Sequence, residues 1–188
     1  VILQGYLQGP NTEKNGSVMR YTNSGAMHIG DQVNSVLDTA ARVYSYLSMA
    51  GIEVHLEQDI RKMVWQKMML NVAGNSVTAL TNADYSDFKA SDDLQEICRE
   101  AMSEYIKVAD AEGIILRQCD IDDVIEYYIG YRGSKKTSML EDIRNHRKTE
   151  NDFLAGTICK LAEKHSIEVP IIKTLYTLIK IKETLYLS

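Results

Sequence analysis

The sequence predicts an α+β chain in which a short strand-rich segment precedes a mainly helical domain. Before residue 57, short β-like runs alternate with Gly, Asn and Pro signals. After it, apolar residues recur at helical spacing almost to the C-terminus. The 188 residues suffice for one domain, or for one domain plus part of another. We therefore expect one unit at residues 1–57 and a helical domain at 58–188.

The first segment is predicted to hold four strands and one helix. The strand-like runs are VILQGYL, GSVMRYT, GAMHIG and IEVHLE. Before the last of them, SVLDTAARVYSYLSMAG has the spacing of an amphipathic helix that ends at Gly51. Short strands need more cover than one helix supplies, so this segment is expected to be the tail of a larger α/β domain.

The second segment is predicted to begin with a helix over residues 58–80. The next, SDDLQEICREAMSEYIKVADAEG, has Ser91 as its N-cap and Gly113 as its stop. A shorter helix, CDIDDVIEYYIGY, is followed by a polar loop, RGSKKTSM. Pro170 opens the last helix, because a first helical position needs no N–H donor.

Two capping boxes are expected between the polar loop and the last helix. One runs from Ser138 to Glu141, and the other from Thr149 to Asp152. Each would begin a helix at the hydroxyl residue.

Composition argues against several classes of function. The net charge is -5 and the basic residues are scattered, so we expect no nucleic-acid partner. No apolar run is long enough for a membrane span, and the first residues lack the features of a signal peptide, so we expect a cytoplasmic protein. The three cysteines form no CxxC pair and the four histidines show no HExxH spacing, so neither disulfides nor a metal are expected.

A polar row interrupts the apolar helix expected at 58–80. Lys67, Asn71 and Asn75 stand four residues apart, which places them within about 80° of one another on an α-helix, and Thr78 continues the row. Buried polar groups need partners, and these could be protein groups or a ligand. Gly74 costs the helix about 1 kcal/mol relative to alanine. Either a close helix contact or room for a bound molecule would explain it.

Two long motifs resemble ketopantoate reductase. WQKMMLNVAGNSVTAL is similar to the family's K-x-x-x-N-x-x-x-N-x-x-T-A segment, and SMLEDIRNHRKTENDFLAGTICKLAEKHSIEVPIIKTL is similar to its second signature. GSVMRYTNSGAMHIGD resembles the strands that close its nucleotide-binding domain. The resemblance implies a helical domain of the 6-phosphogluconate dehydrogenase C-terminal type, preceded by the last strands of a Rossmann-type NADP-binding domain.

The same resemblance implies a role for five residues. Lys67 would be the general acid, because an ammonium stabilises and protonates a developing alkoxide. Asn71 and Asn75 would bind substrate through their amides, and Ser138 would contact its carboxylate. Glu150 would contact the cofactor and support Lys67. Without a ligand, the amides could join helices, Ser138 could be a cap and Glu150 could interact with a helix dipole.

The sequence departs from the family pattern at several positions. Tyr85 and Lys135 stand where the family often has asparagine, Asn151 stands where it prefers an apolar residue, and Lys164 and His165 replace a usual glycine region. These departures concern the identity of the 2-keto acid more than the type of reaction.

The cofactor implied is NADPH, although the sequence contains no G-x-G-x-x-G loop for its pyrophosphate. Most of that site would therefore lie outside this chain, and the isolated chain is expected to be inactive or nearly so.

The function expected from the resemblance is reduction of 2-dehydropantoate to pantoate in pantothenate biosynthesis. Two alternatives stay open: reduction of another small 2-keto acid, or a non-catalytic helical module for dimerisation or binding. The last helix, PIIKTLYTLIKIKETLY, has enough apolar surface to pack on a neighbour, so a homodimer is one expected assembly.

Overall fold

A computed structural model describes residues 3–9, 11–23, 25–31, 37–131 and 134–187. It confirms the α+β class with a mainly helical second part. The chain divides into two compact units, residues 1–64 and 65–188, so the division lies inside a helix. The expected end of the nucleotide-binding remnant at residue 57 stays a prediction.

The first unit contains five strands and one helix in its described residues. In chain order they are β1 (Leu3–Gln8), β2 (Asn11–Asn15), β3 (Val18–Asn23), β4 (Ala26–Asp31), α1 (Leu37–Met49) and β5 (Val54–Leu56). Strand β4 lies between β1 and β5, antiparallel to the first and parallel to the second, and β2 pairs with β3 as a separate hairpin. The parallel pair joined through α1 is a βαβ unit, the building block of α/β domains.

Strand β2 was not predicted, because NTEKN lacks the alternation of apolar and polar residues that marks a strand. Its antiparallel pairing with β3 forms it instead. The expected helix end at Gly51 is confirmed, since this residue has a φ of 77°. Val1 and Ile2, at the start of the first predicted strand, lie outside the described residues.

A row of rings crosses the three-stranded sheet. His28 stacks between Tyr6 and His55, with ring centroids 4.8 and 4.9 Å apart. Its Nδ1 lies 2.7 Å from Glu57 Oε1. The His28 ring therefore interacts with side chains on both sides and with the Glu57 carboxylate.

The helices continue as α2 (Ile60–Leu70), a π-turn (Asn71–Asn75), α3 (Ser76–Thr81), a 3₁₀ turn (Asp87–Lys89), α4 (Asp92–Ala111), α5 (Gln118–Gly130), α6 (Ser138–Arg144), α7 (Ala155–Lys164) and α8 (Pro170–Leu187).

The second unit packs its core around α4. Met102 and Tyr105 on this helix are fully buried, as are Ile125 on α5 and Ile172 and Ile179 on α8. No helix within the described ranges has the length and apolarity to cross a membrane.

Three of the predicted helix ends are confirmed. Ser91 Oγ accepts a hydrogen bond from the Leu94 N–H at 3.3 Å, Gly113 has a φ of 77°, and Pro170 is the first residue of α8. Each of these helix ends depends on the chemistry of one residue, so it can be predicted from the sequence.

The two predicted capping boxes are wrong. Thr137 is the N-cap of α6, since its Oγ1 accepts from the Leu140 N–H at 3.3 Å, and Ser138 is the first helical residue. Thr149 Oγ1 accepts from the Asn151 N–H at 3.1 Å, but α7 begins only at Ala155. The intervening residues form turns.

A buried carboxylate caps the last helix. Glu104 on α4 is 6% exposed, and its two oxygens accept from the N–H groups of Ile171 and Ile172, each at 2.9 Å. An anion at a helix N-terminus satisfies free N–H donors and interacts favourably with the helix dipole. Glu104 thus fixes the start of α8 against α4.

Candidate active site

The polar row lies on a helix that is not uniformly α-helical. The prediction of one continuous α-helix is wrong at Asn71–Asn75, where the backbone makes a π-turn. Tyr128 on α5 donates its hydroxyl hydrogen to Leu70 O at 2.7 Å and accepts from the Gly74 N–H. In an α-helix that carbonyl and that N–H would bond to each other. The tyrosine hydroxyl stands between them.

Gly74 makes this contact possible. A Cβ at this position would lie 2.1 Å from Tyr128 Oη and 2.6 Å from its Cζ. Of the two explanations for a glycine in this helix, the close helix contact is the one that the structure supports.

The π-turn changes where the polar groups face. It adds one residue to the turn, so in ideal geometry its last residue, Asn75, is rotated back by about 100° relative to an uninterrupted α-helix. That rotation places Asn75 about 20° from Lys67 around the helix axis instead of about 80°. In this geometry the row from Lys67 to Asn75 is straighter than a continuous α-helix would make it.

Thr78 does not extend the row towards solvent. It is fully buried, and its Oγ1 donates to Gly74 O at 2.8 Å and lies 2.8 Å from Thr137 Oγ1. This pair joins α3 to the residue before Ser138. A buried hydroxyl pair therefore joins the first motif to the residue that precedes the second.

Three of the five predicted site residues share one crevice. Asn75, Ser138 and Glu150 line one narrow crevice, together with Met139, Asp142 and Leu154. Asn75 is buried, whereas Ser138 and Glu150 are exposed. Asn71 is half-buried at the first position of the π-turn and is not among the described residues that line this crevice.

Lys67 interacts electrostatically with the same group of residues. It is half-buried, and burial lowers the pKa of its ammonium, while the Glu150 carboxylate acts in the opposite direction and raises it. The net effect is a pKa below the ordinary lysine value. Lysines with lowered pKa values are suited to proton transfer.

A second buried acid supports the loop that carries Glu150. Glu183 on α8 is 7% exposed, and its Oε1 accepts from the Thr149 N–H at 2.6 Å. The Asn151 side chain donates to Tyr176 O at 2.9 Å. Contacts on both sides of Glu150 thus fix the backbone from which its carboxylate projects.

Sequence reasoning missed Asp142 as a residue of the crevice. Its Oδ1 accepts from Arg147 Nε at 2.9 Å, an arrangement that ties α6 to the following loop. The signal was available, because Asp142 occupies the aspartate position of the second motif.

The crevice offers an amide and a hydroxyl, and the Lys67 ammonium interacts electrostatically with the crevice residue Glu150. These groups can bind a carboxylate, and the ammonium can protonate an oxygen as it becomes negative. Among the described residues, no cluster of three or more His, Cys, Asp or Glu could hold a metal ion.

The chain matches known proteins over most of its length. Residues 59–183 match the family described as ketopantoate reductase PanE/ApbA C terminal. The 2-dehydropantoate 2-reductase of Salmonella typhimurium is 30% identical, and the match covers 98% of this chain and 61% of that protein. The enzyme of the same name from Halobacterium salinarum is 26% identical over 88% of this chain and 54% of that protein. The chain therefore spans less than two thirds of these relatives.

Solved structures show the same fold. A dimeric ketopantoate reductase from Staphylococcus aureus has a TM-score of 0.84 at 24% identity, over 98% of this chain and 62% of that one. D-mandelate dehydrogenase in a ternary structure with NADH and anilino(oxo)acetate has a TM-score of 0.80 at 23% identity, over 90% of this chain and 70% of that one. Because the family match spans most of the sequence, the chain belongs to the ketopantoate reductase family and represents its C-terminal portion.

Proposed function

We propose that this chain supplies the substrate-binding and proton-donating part of an NADPH-dependent reductase that converts 2-dehydropantoate to pantoate in pantothenate biosynthesis. One observation carries the proposal: half-buried Lys67 interacts with Glu150, which shares a crevice with Asn75 and Ser138. Family membership supports the type of reaction.

The proposed roles follow from the chemistry of each group. When bound, NADPH supplies the hydride for the keto carbon. Lys67 Nζ holds the proton that the carbonyl oxygen takes up as it becomes negative. Asn75 and Ser138 donate hydrogen bonds to the substrate carboxylate, and Asn71 offers a further amide from the same helix.

The residues present fit part of a dinucleotide site. Glu150 is an exposed carboxylate, which accepts hydrogen bonds from hydroxyl groups and repels phosphates. It therefore suits a ribose and not a pyrophosphate. The sequence contains no G-x-G-x-x-G, so the groups that would hold the phosphates are not in these residues.

Steady-state NADPH oxidation by the complete gene product tests the proposal. With a panel of 2-keto acids, we expect turnover with 2-dehydropantoate and none with the isolated 188-residue chain. No turnover with any 2-keto acid would favour the non-catalytic helical module. Robust turnover by the isolated chain would show that the missing nucleotide groups are dispensable.

Replacing Glu150 with glutamine should shift the pH profile. Glu150 raises the pKa of Lys67, so removing the negative charge lowers that pKa and leaves less ammonium at a given alkaline pH. We expect the alkaline limb of kcat/KM to move to lower pH. Asp152→Asn is the matched control, because it removes an equal charge two residues away and should leave that limb in place. An unmoved limb in Glu150→Gln would contradict the interaction.

One contact favours a different small 2-keto acid as a second candidate. Two of the departures from the family pattern meet in the structure: the Tyr85 N–H donates to Lys135 O at 3.1 Å, and Lys135 Nζ lies 5.9 Å from the Tyr85 ring centroid. The same ammonium lies 5.2 Å from the Tyr131 ring. A ring and a cation thus stand where the family often has two amides, so a substrate that contacted them would meet different polar groups.

The double change Tyr85→Asn and Lys135→Asn tests this candidate. If these residues select the substrate, the ratio of kcat/KM for 2-dehydropantoate over phenylpyruvate should rise about tenfold, a typical effect of one altered pocket contact. An unchanged ratio would exclude both residues from substrate selection.

A further inference from the structure

We infer that Tyr128 is a positioning residue of the site, whose hydroxyl maintains the π-turn and thereby aligns Asn75 with Lys67. This inference rests on the proposed function for its catalytic meaning, and on geometry for its structural meaning. Tyr128 lies on α5, outside both sequence motifs.

The hydroxyl replaces a backbone hydrogen bond. Tyr128 Oη lies 2.7 Å from Leu70 O and accepts from the Gly74 N–H, so the N–H that would bond to Leu70 O in an α-helix has a partner in the π-turn. A buried carbonyl or N–H without a partner would be costly. The inserted hydroxyl therefore makes the π-turn compatible with burial.

The Tyr128 ring has little freedom to move away from the π-turn. Tyr128 is 0% exposed, and its ring centroid lies 4.6 Å from that of Phe88 and 5.3 Å from that of Tyr85. Close-packed rings resist displacement. The hydroxyl is thus held in place by the core.

Tyr105 provides an internal comparison. It is also buried, and its hydroxyl donates to Trp65 O at 3.0 Å, on the same helix. That stretch of α2 stays α-helical. A tyrosine bonded to a helix carbonyl is therefore not sufficient for a π-turn, whereas the Tyr128 hydroxyl also takes the N–H of a glycine.

The π-turn affects the site through the direction in which the Asn75 amide faces. Without the π-turn, Asn75 would lie about 80° from Lys67 around the helix axis instead of about 20°. The amide would then face further from the side of the ammonium. Asn75 is the last residue of the turn and Lys67 precedes it, so we expect the turn to affect substrate binding more than the ionisation of Lys67.

Tyr128→Phe, made in the complete gene product, tests the inference, with Tyr105→Phe as the matched control. Both variants lose one buried hydroxyl bonded to the same helix. We expect Tyr128→Phe to raise the KM for the 2-keto acid about tenfold and to leave the alkaline limb of kcat in place. Tyr105→Phe should keep KM within about twofold of the unmodified protein.

A double-mutant cycle with Asn75→Ala separates positioning from general loss of stability. If Tyr128 acts through Asn75, Tyr128→Phe should change KM by less than about twofold in the Asn75→Ala background. An equal factor in both backgrounds, or an unchanged KM in the single variant, would overturn the inference.

A crystal structure of the Tyr128→Phe variant reports independently of activity. We expect the Gly74 N–H to bond to Leu70 O and the π-turn to be lost. A retained π-turn would overturn the inference even if the protein reduces 2-keto acids. Absence of turnover in the unmodified protein would instead overturn the proposed function, and the structure of the variant would still decide the role of Tyr128.

Discussion

The complete gene product should lose most of its turnover when Lys67 is replaced by alanine. General acid catalysis contributes typically about 10²- to 10⁴-fold, so we expect kcat for the 2-keto acid to fall within this range. Lys67 is half-buried beside the crevice residue Glu150, and a methyl group can neither donate the proton nor stabilise the alkoxide. Steady-state kinetics with saturating NADPH measures the effect.

The matched control for this variant is Lys107→Ala, which removes an exposed lysine on α4. Its kcat should stay close to that of the unmodified protein. If Lys67→Ala retains full kcat as well, Lys67 is not the proton donor, and the proposed mechanism is wrong.

Glu104→Ala should produce the largest loss of stability among the changes considered. It leaves the N–H groups of Ile171 and Ile172 without their carboxylate acceptors at the buried start of α8. Unsatisfied buried donors cost about 1–3 kcal/mol each, so for two donors we expect the free energy of unfolding to fall by about 2–6 kcal/mol. Urea unfolding of the complete gene product, followed by circular dichroism, measures this change.

Glu100→Ala is the control, because this glutamate is exposed on the same helix. Exposed substitutions of this kind usually stay within about 0.5 kcal/mol. Glu104→Gln should fall between the two, since its amide keeps one oxygen acceptor. A Glu104→Ala variant as stable as the control would show that the cap contributes nothing.

The features that sequence predicted well are local. Ser91, Gly113 and Pro170 mark helix ends because each supplies a hydroxyl, a left-handed backbone or a missing N–H at one position. No residue distant in the sequence is needed to determine these helix ends. The fold class followed from such signals and from helical periodicity.

The π-turn could not be predicted in this way. It depends on a hydroxyl that comes from Tyr128, 58 residues further along the chain than Leu70. Gly74 hinted at a close contact but not at its partner. The capping box at Ser138 failed for a related reason, since the neighbouring Thr137 is a hydroxyl residue with equal local chemistry.

Two of the buried acids, Glu104 and Glu183, left a signal in the sequence that the predictions did not use. Glu104 follows Ala101 by three residues and precedes Val108 by four, so it lies on the buried side of α4. Glu183 follows Ile179 by four residues on α8. An acid at a buried helical position needs a donor, but sequence alone does not say which backbone N–H supplies it.

The candidate site combines both kinds of information. The residues Lys67, Asn75, Ser138 and Glu150 came from motif resemblance, and the structure places the last three around one crevice. Their chemical roles stay predictions. Tyr128 could be recognised only from packing, because its contribution depends on which elements meet, whereas Asp142 also lies in the second motif.

A crystal structure of the complete gene product with pantoate bound tests the central claim most directly. We predict that the hydroxyl oxygen of pantoate lies within hydrogen-bond reach of Lys67 Nζ, about 2.6–3.2 Å, and that its carboxylate contacts Asn75 or Ser138. Pantoate bound elsewhere, with its hydroxyl beyond reach of Lys67 and its carboxylate away from the crevice, would contradict the account.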